Sequence, residues 1–145
     1  MIGFIGFGNM ATAIIKGIIN KGIYNTNKIY IYDIDKNKLE NANKTFGVNI
    51  CKNCDEIIEK SQYIFLAVKP NVYKDIYGVI KENYYCNKVL ISMAAGITID
   101  EIKKNTGYDK IVRIMPNVAA LVNEGITAAT FLNILDLEKS KLLIF

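Results

Sequence analysis

Gly6-Phe7-Gly8-Asn9-Met10-Ala11 is the stretch best suited to holding a charged ligand, because it sets two glycines and a small residue at the spacing Gly-x-Gly-x-x-Ala. Each position answers a separate physical demand. Gly6 permits a tight turn, Gly8 lets a pyrophosphate come close to the backbone, and Ala11 lets a helix lie close on the preceding strand. The free amides that open such a helix, with the positive end of its dipole, then face the phosphates. Asp33 follows 22 residues after Ala11, where an acid ending the second strand accepts hydrogen bonds from an adenosine ribose. These features imply a dinucleotide, NADP or NAD. The acid leans toward NAD, since a 2′-phosphate beside it meets like charge, although Lys36 and Lys38 close behind offset part of that repulsion. A turn or helix cap is the plainer use for Asp33.

Three further segments carry candidates. "LAVKP" at 66–70 leaves an apolar run with Lys69 and Pro70 at its carboxyl end, the edge at which open α/β sheets bind ligands. Ala67, Val68, Lys69 and Pro70 are therefore placed to line a dinucleotide. In "SMAAGIT" at 92–98, Ala94 and Ala95 are too small for chemistry but let a flat ring approach the backbone. "RIMPNVAA" at 113–120 offers Met115, Pro116 and Asn117, of which Asn117 alone can bond an amide or carboxylate. Arg113, the single arginine, sits between Val112 and Ile114 and is expected to be a structural ion-pair partner.

The elements needed to position these residues follow from hydrophobic period. Strands are predicted at 2–5, 28–33, 48–50, 63–68, 88–93, 110–115 and 125–130. Helices are predicted at 9–21, 35–47, 55–60, after Pro70, at about 98–105 and from Asp136 onward. In the first helix, Met10, Ala13, Ile14, Gly17 and Ile18 are expected on the buried side. Strands alternating with helices imply right-handed crossovers and a doubly wound, mainly parallel Rossmann-type sheet, with helices on both faces. One domain over residues 1–145 is expected. The closing "LEKSKLLIF" ends on four apolar residues with no polar exit, which suggests a chain cut within or just after its last helix.

Composition removes other classes. With 51% hydrophobic and 22% charged residues the chain reads as globular. Its net charge of +4 is scattered rather than blocked, so no nucleic-acid arm is expected. There is no histidine, hence neither the usual acid-base group near neutral pH nor the commonest zinc ligand. Cys51-x-x-Cys54 is half of a metal knuckle without its other half, and no metal is expected; the three cysteines read as reduced thiols in a cytoplasmic protein. The apolar start lacks a leading positive flank and contains Gly3, Gly6 and Gly8, so neither a secretion signal nor a membrane span is predicted.

Taken in order, "GFIGFGNMATAIIKGI", "FLAVKP", "ISMAAGIT", "VRIMPN" and "EGITA" resemble the amino-terminal domain of pyrroline-5-carboxylate reductase over nearly the whole chain. The resemblance implies an imine reductase of proline biosynthesis. Such enzymes reduce the C=N bond of 1-pyrroline-5-carboxylate to L-proline with NADPH or NADH, in the cytoplasm for bacterial members. It further implies that residues 6–11 hold the pyrophosphate, that 67–70 with Ala94 and Ala95 run toward the nicotinamide, and that Met115, Pro116 and Asn117 lie near the substrate. Family members continue into a helical domain that makes the dimer and carries a substrate loop. That domain is absent from this sequence, so cofactor binding with little turnover is expected. One departure stands out. An asparagine usual 13 residues before the alanine of "AVKP" is here Cys54, with Asn53 beside it. Two other readings stay open: a dinucleotide-binding module without chemistry, and another Rossmann reductase, such as a deazaflavin-linked NADP oxidoreductase or a β-hydroxyacid dehydrogenase.

Overall fold

The computed structural model describes residues 1–116 and 127–132. In chain order the elements are β1 (Ile2–Ile5), α1 (Asn9–Asn20), β2 (Ile29–Tyr32), α2 (Lys36–Phe46), β3 (Asn49–Ile50), α3 (Cys54–Lys60) and β4 (Tyr63–Leu66). Then come α4 (Tyr73–Glu82), entered through a short 3-10 turn at Pro70–Val72, β5 (Val89–Ser92), α5 (Ile99–Thr106), β6 (Ile111–Pro116) and β7 (Thr127–Leu132). The helix expected from Asp136 lies outside the described residues.

The strands form one sheet in the order β3-β2-β1-β4-β5-β6-β7. The first six run parallel. β7 returns antiparallel along β6, with Ile111 opposite Leu132 and Pro116 opposite Thr127. Strand order reverses between β1 and β4, so the loops leaving these two strands diverge and open a crevice at their carboxyl ends.

β1 and β5 are buried at every position, as required of parallel strands covered on both faces. Successive residues therefore feed two cores. Phe4, Ile29, Ile31 and Phe65 face α1 and α2 with Ile14, Ile15 and Ile18, and Phe4 stacks on Phe65 at 4.5 Å between ring centroids. Ile5, Ile64 and Leu66 face α3, α4 and α5, where they meet Ile57, Ile58, Tyr73 and Ile102.

In α1 the buried stripe runs through Ala11, Ile14, Ile15 and Ile18, with Ala13. The spacing predicts Met10 and Gly17 on that face as well. Met10 and Gly17 are only partly buried, although Met10 still packs against this core, and Ala11 and Ile15 are buried in addition.

Helix ends close locally. Asp35 caps α2, Asn53 caps α3 and Thr98 caps α5, each side chain accepting backbone N–H bonds of the first turn. At the far end of α3, the nearly buried Lys88 ammonium donates to the carbonyls of Ile58, Glu59 and Ser61. A cation is favourable at a helix carboxyl terminus, where carbonyls are otherwise left over. The Lys88 pKa is lowered by this burial.

Gly3 in β1 is held by contact with α3. A Cβ there would stand 2.7 Å from Ile57 Cγ2 and closer still to Ser61 Oγ. Gly3→Ala is expected to lower the unfolding free energy by about 1–3 kcal/mol through overpacking, read from urea denaturation midpoints. An unchanged midpoint would contradict this packing.

Candidate functional site

The turn after β1 is built from backbone constraints. Gly6 lies in the left-handed region at φ 95°, and its N–H donates to the Tyr32 carbonyl at 2.8 Å. A Cβ on Gly6 would stand 2.8 Å from the Ala67 carbonyl carbon and oxygen and from Val68 Cγ1. Both geometry and space thus require glycine. Phe7 turns its ring into the core, 8% exposed, and its N–H donates to Asp33 Oδ2 at 2.7 Å. Gly8 has ordinary φ of −100°, and the place of its missing Cβ has no atom within 4 Å.

α1 then starts differently from α2, α3 and α5. Its cap position is Gly8, with no side-chain cap and no acid in the first turn. The first backbone bond joins the Thr12 N–H to the Gly8 carbonyl at 3.0 Å. The amides of Asn9, Met10 and Ala11 therefore point out of the helix end without helical acceptors, in the positive field of the dipole.

Those amides open on a cleft of about 390 Å³. Its walls are Gly8, Asn9, Met10 and Ala11 from α1, Ala67, Val68, Lys69 and Pro70 beyond β4, Met93, Ala94 and Ala95 beyond β5, and Met115 of β6. Four segments far apart in sequence meet there because β1, β4, β5 and β6 are consecutive in the sheet. Lys69 is the one charged side chain among these residues, which suits an anionic ligand. Gly6 and Phe7 stand behind the cleft rather than on it. Pro116 ends β6, and Asn117 lies outside the described residues.

Two contributors are not evident from sequence. Met93, an apolar residue at the end of an apolar run, carries no motif that would mark it as a lining residue. Tyr73, fully buried, sits under the cleft and donates its hydroxyl to the Leu66 carbonyl at 2.9 Å. Its oxygen is also 2.9 Å from Ser92 Oγ. The single Tyr73 proton is already committed to Leu66, so the Ser92 hydroxyl is the donor in that second bond. This buried pair joins the ends of β4 and β5 just before the segments that line the cleft, and burial raises the Tyr73 pKa.

A second cleft, of about 320 Å³, adjoins the ends of β2 and β3 and is lined by Asp33, Ile34, Lys36, Glu40, Ile50 and Lys52 among others. Ile34, 92% exposed, and Ile50 form an uncovered apolar rim. Asp33 Oδ1 accepts the Asp35 N–H at 2.9 Å while Oδ2 holds Phe7. The carboxylate thus clasps the glycine turn to the loop after β2. Asp33 does not cap α2; Asp35 does.

Asn53 is committed as well, its Oδ1 accepting the Glu56 N–H at 2.9 Å. Cys54 is the first residue of α3. The ion pairs Lys60–Glu56 and Lys103–Asp109 do not involve Arg113, and no ion pair of Arg113 with another described residue is present. Arg113 instead reaches Met115 Sδ at 3.5 Å, and its buried Nε lacks an acceptor. The cause is geometric, since the parallel neighbour of Arg113 is Ser92 rather than an acid. Among the described residues, no cluster of three or more His, Cys, Asp or Glu could hold a metal ion.

Comparison with known proteins bears on this geometry. A family model described as NADP oxidoreductase, coenzyme F420-dependent, matches residues 1–96. The chain belongs to this family. Pyrroline-5-carboxylate reductases match it well beyond residue 96. The enzyme of Escherichia coli strain K12 is 37% identical over 130 residues, 89% of this chain and 48% of that protein. The solved pyrroline-5-carboxylate reductase of Coxiella burnetii superposes with a TM-score of 0.85 at 31% identity, covering 97% of this chain and 53% of that one. The Plasmodium falciparum enzyme, solved with NADP bound, gives 0.79 at 29% identity over 91% of this chain and 48% of its own. This chain therefore corresponds to the amino-terminal NAD(P)-binding domain of pyrroline-5-carboxylate reductases and spans about half the length of the curated relatives it matches. Among the described residues, no helix is long and apolar enough to cross a membrane.

Cys51, buried on the second cleft, has its thiol pushed up to about 11 by burial and then by Glu56. Burial, then Asp55, pushes Cys54 up to about 11 too. The thiolate is the nucleophile, so raising a thiol's pKa lowers its reactivity at neutral pH. At pH 7.5, iodoacetamide followed by peptide mass mapping is expected to label the exposed Cys86 at least about tenfold faster than Cys51 or Cys54. Labelling of the latter two should accelerate as pH rises toward 11, and equal rates at pH 7.5 would contradict their burial.

Proposed function

We propose that this chain is the cofactor-holding domain of a cytoplasmic pyrroline-5-carboxylate reductase, an NADPH- or NADH-dependent enzyme that forms L-proline. The reading rests on one observation above the others: three unsatisfied amides of α1 face an open cleft across Gly8. A pyrophosphate fits there, because the amides supply donors, the dipole supplies positive potential and no Cβ obstructs the approach. The reduced nicotinamide, when bound, supplies a hydride to the imine carbon of 1-pyrroline-5-carboxylate while the ring nitrogen takes a proton.

This chain's residues bind and orient. Lys69 adds positive charge beside the phosphates, and the small side chains of Ala67, Ala94 and Ala95 leave flat space against the backbone for a ring. Met93 and Met115 give that end of the cleft an apolar lining. The Tyr73–Ser92 pair fixes the two strand ends that carry these groups. Met115, Pro116 and Asn117 are the residues assigned to the substrate side. The helical second domain and the homo-oligomer it forms belong to the same proposal, as does the absence of nucleic-acid and membrane partners.

Gly8→Ala separates binding from folding. Its methyl meets open space at an allowed φ, so the unfolding free energy should stay within about 0.5 kcal/mol of the parent. The same methyl occupies the phosphate approach, and affinity for NADPH or NADH, followed by nicotinamide fluorescence, should fall by about tenfold or more. Failure of the parent chain to bind either nucleotide at millimolar concentration would overturn the assignment.

A further inference from the structure

We infer that Asp33 makes this domain selective for NADH over NADPH, an inference that rests on the dinucleotide reading of the cleft. The carboxylate sits where the glycine turn meets the second cleft, since it bonds the Phe7 N–H while lining that cleft. An adenosine ribose whose pyrophosphate lies on α1 reaches this junction.

The side chain cannot swing aside. Each oxygen already holds a backbone amide, Phe7 at 2.7 Å and Asp35 at 2.9 Å, and these amides belong to two different loops. Each oxygen keeps further lone-pair capacity. Neutral ribose hydroxyls can therefore donate to it, whereas a 2′-phosphate has no proton to offer and brings like charge against a fixed anion.

Compensation nearby is weak. The charged side chains on the second cleft are Asp33 and Glu40 against Lys36 and Lys52, two of each sign. Both lysines are exposed, so their charges are solvated and screened. A guanidinium suited to bidentate phosphate binding is not at hand, because the single arginine, Arg113, lies on β6. β6 stands four strand positions from β2, or about 19 Å at ordinary strand spacing.

The test is equilibrium titration of this chain with NADH and with NADPH by nicotinamide fluorescence, repeated for Asp33→Asn and Asp33→Ser. NADH is expected to bind at least about tenfold more tightly than NADPH, and the ratio should shrink in high salt because charge sets it. Asp33→Asn keeps the shape and loses the charge, so it should bring the ratio near unity, mainly through tighter NADPH binding. Equal or reversed preference in the parent chain overturns this inference and leaves the cofactor assignment standing. A ratio unchanged in Asp33→Asn does the same. If neither variant folds, the parent ratio and its salt dependence still decide the matter. Binding of neither nucleotide by the parent overturns both readings.

Discussion

At Gly6 two stretches of backbone come too close to leave room for a side chain. The turn leaving β1 presses on the Ala67 carbonyl at the end of β4, and the Gly6 amide is tied to the Tyr32 carbonyl at the end of β2. Three adjacent strands thus converge on one residue with no side chain and a left-handed φ. The direction of α1, the mouth of the cleft and the position of Asp33 all follow from that convergence. A larger residue here would push the helix start away from the β4 end and separate the two walls of the cleft.

What α1 lacks matters as much as what it has. α2, α3 and α5 each satisfy their first amides with a side chain, while α1 begins at a bare glycine. A helix start left open toward a cleft is a standing demand for acceptors. Capping it internally would cancel the positive potential that favours an anion. The Phe7–Asp33 bond adds a second constraint, since it joins the turn to the β2 loop and couples the two clefts through a single carboxylate. Deeper down, the Tyr73 hydroxyl does for β4 and β5 what Gly6 does for β1, β2 and β4. Strand ends that carry small or apolar lining residues cannot bond one another through side chains, so a buried polar group beneath them holds their spacing.

The seven strands and the first five helices were legible from β-branched or apolar runs and from helical period; β1 and β5, buried at every position, read as continuous apolar runs. Legibility failed where a residue's partner is remote. Met10 reads as part of the buried stripe of α1, and it does pack against that core, but only partly, because it also lines the cleft. Arg113 looked like an ion-pair partner, but its neighbour on β5 is Ser92. Asn53 stands beside the position where an asparagine is usual, and only the structure shows that its oxygen caps the first turn of α3. Tyr73 carried no motif at all, because its role depends on which strands end above it.

The sequence by itself determined the order of elements, the phosphate-suited turn and the family resemblance, since each depends on residues near one another in the chain and on short-range rules of turn and helix geometry. Only the tertiary structure decided which segments share a cleft, which helix start stays unsatisfied, and what holds the Asp33 carboxylate in place. Those outcomes depend on sheet order and register, which bring residues 8, 67, 93 and 115 to one edge. No local pattern encodes that meeting, because it is produced by the packing of the whole sheet.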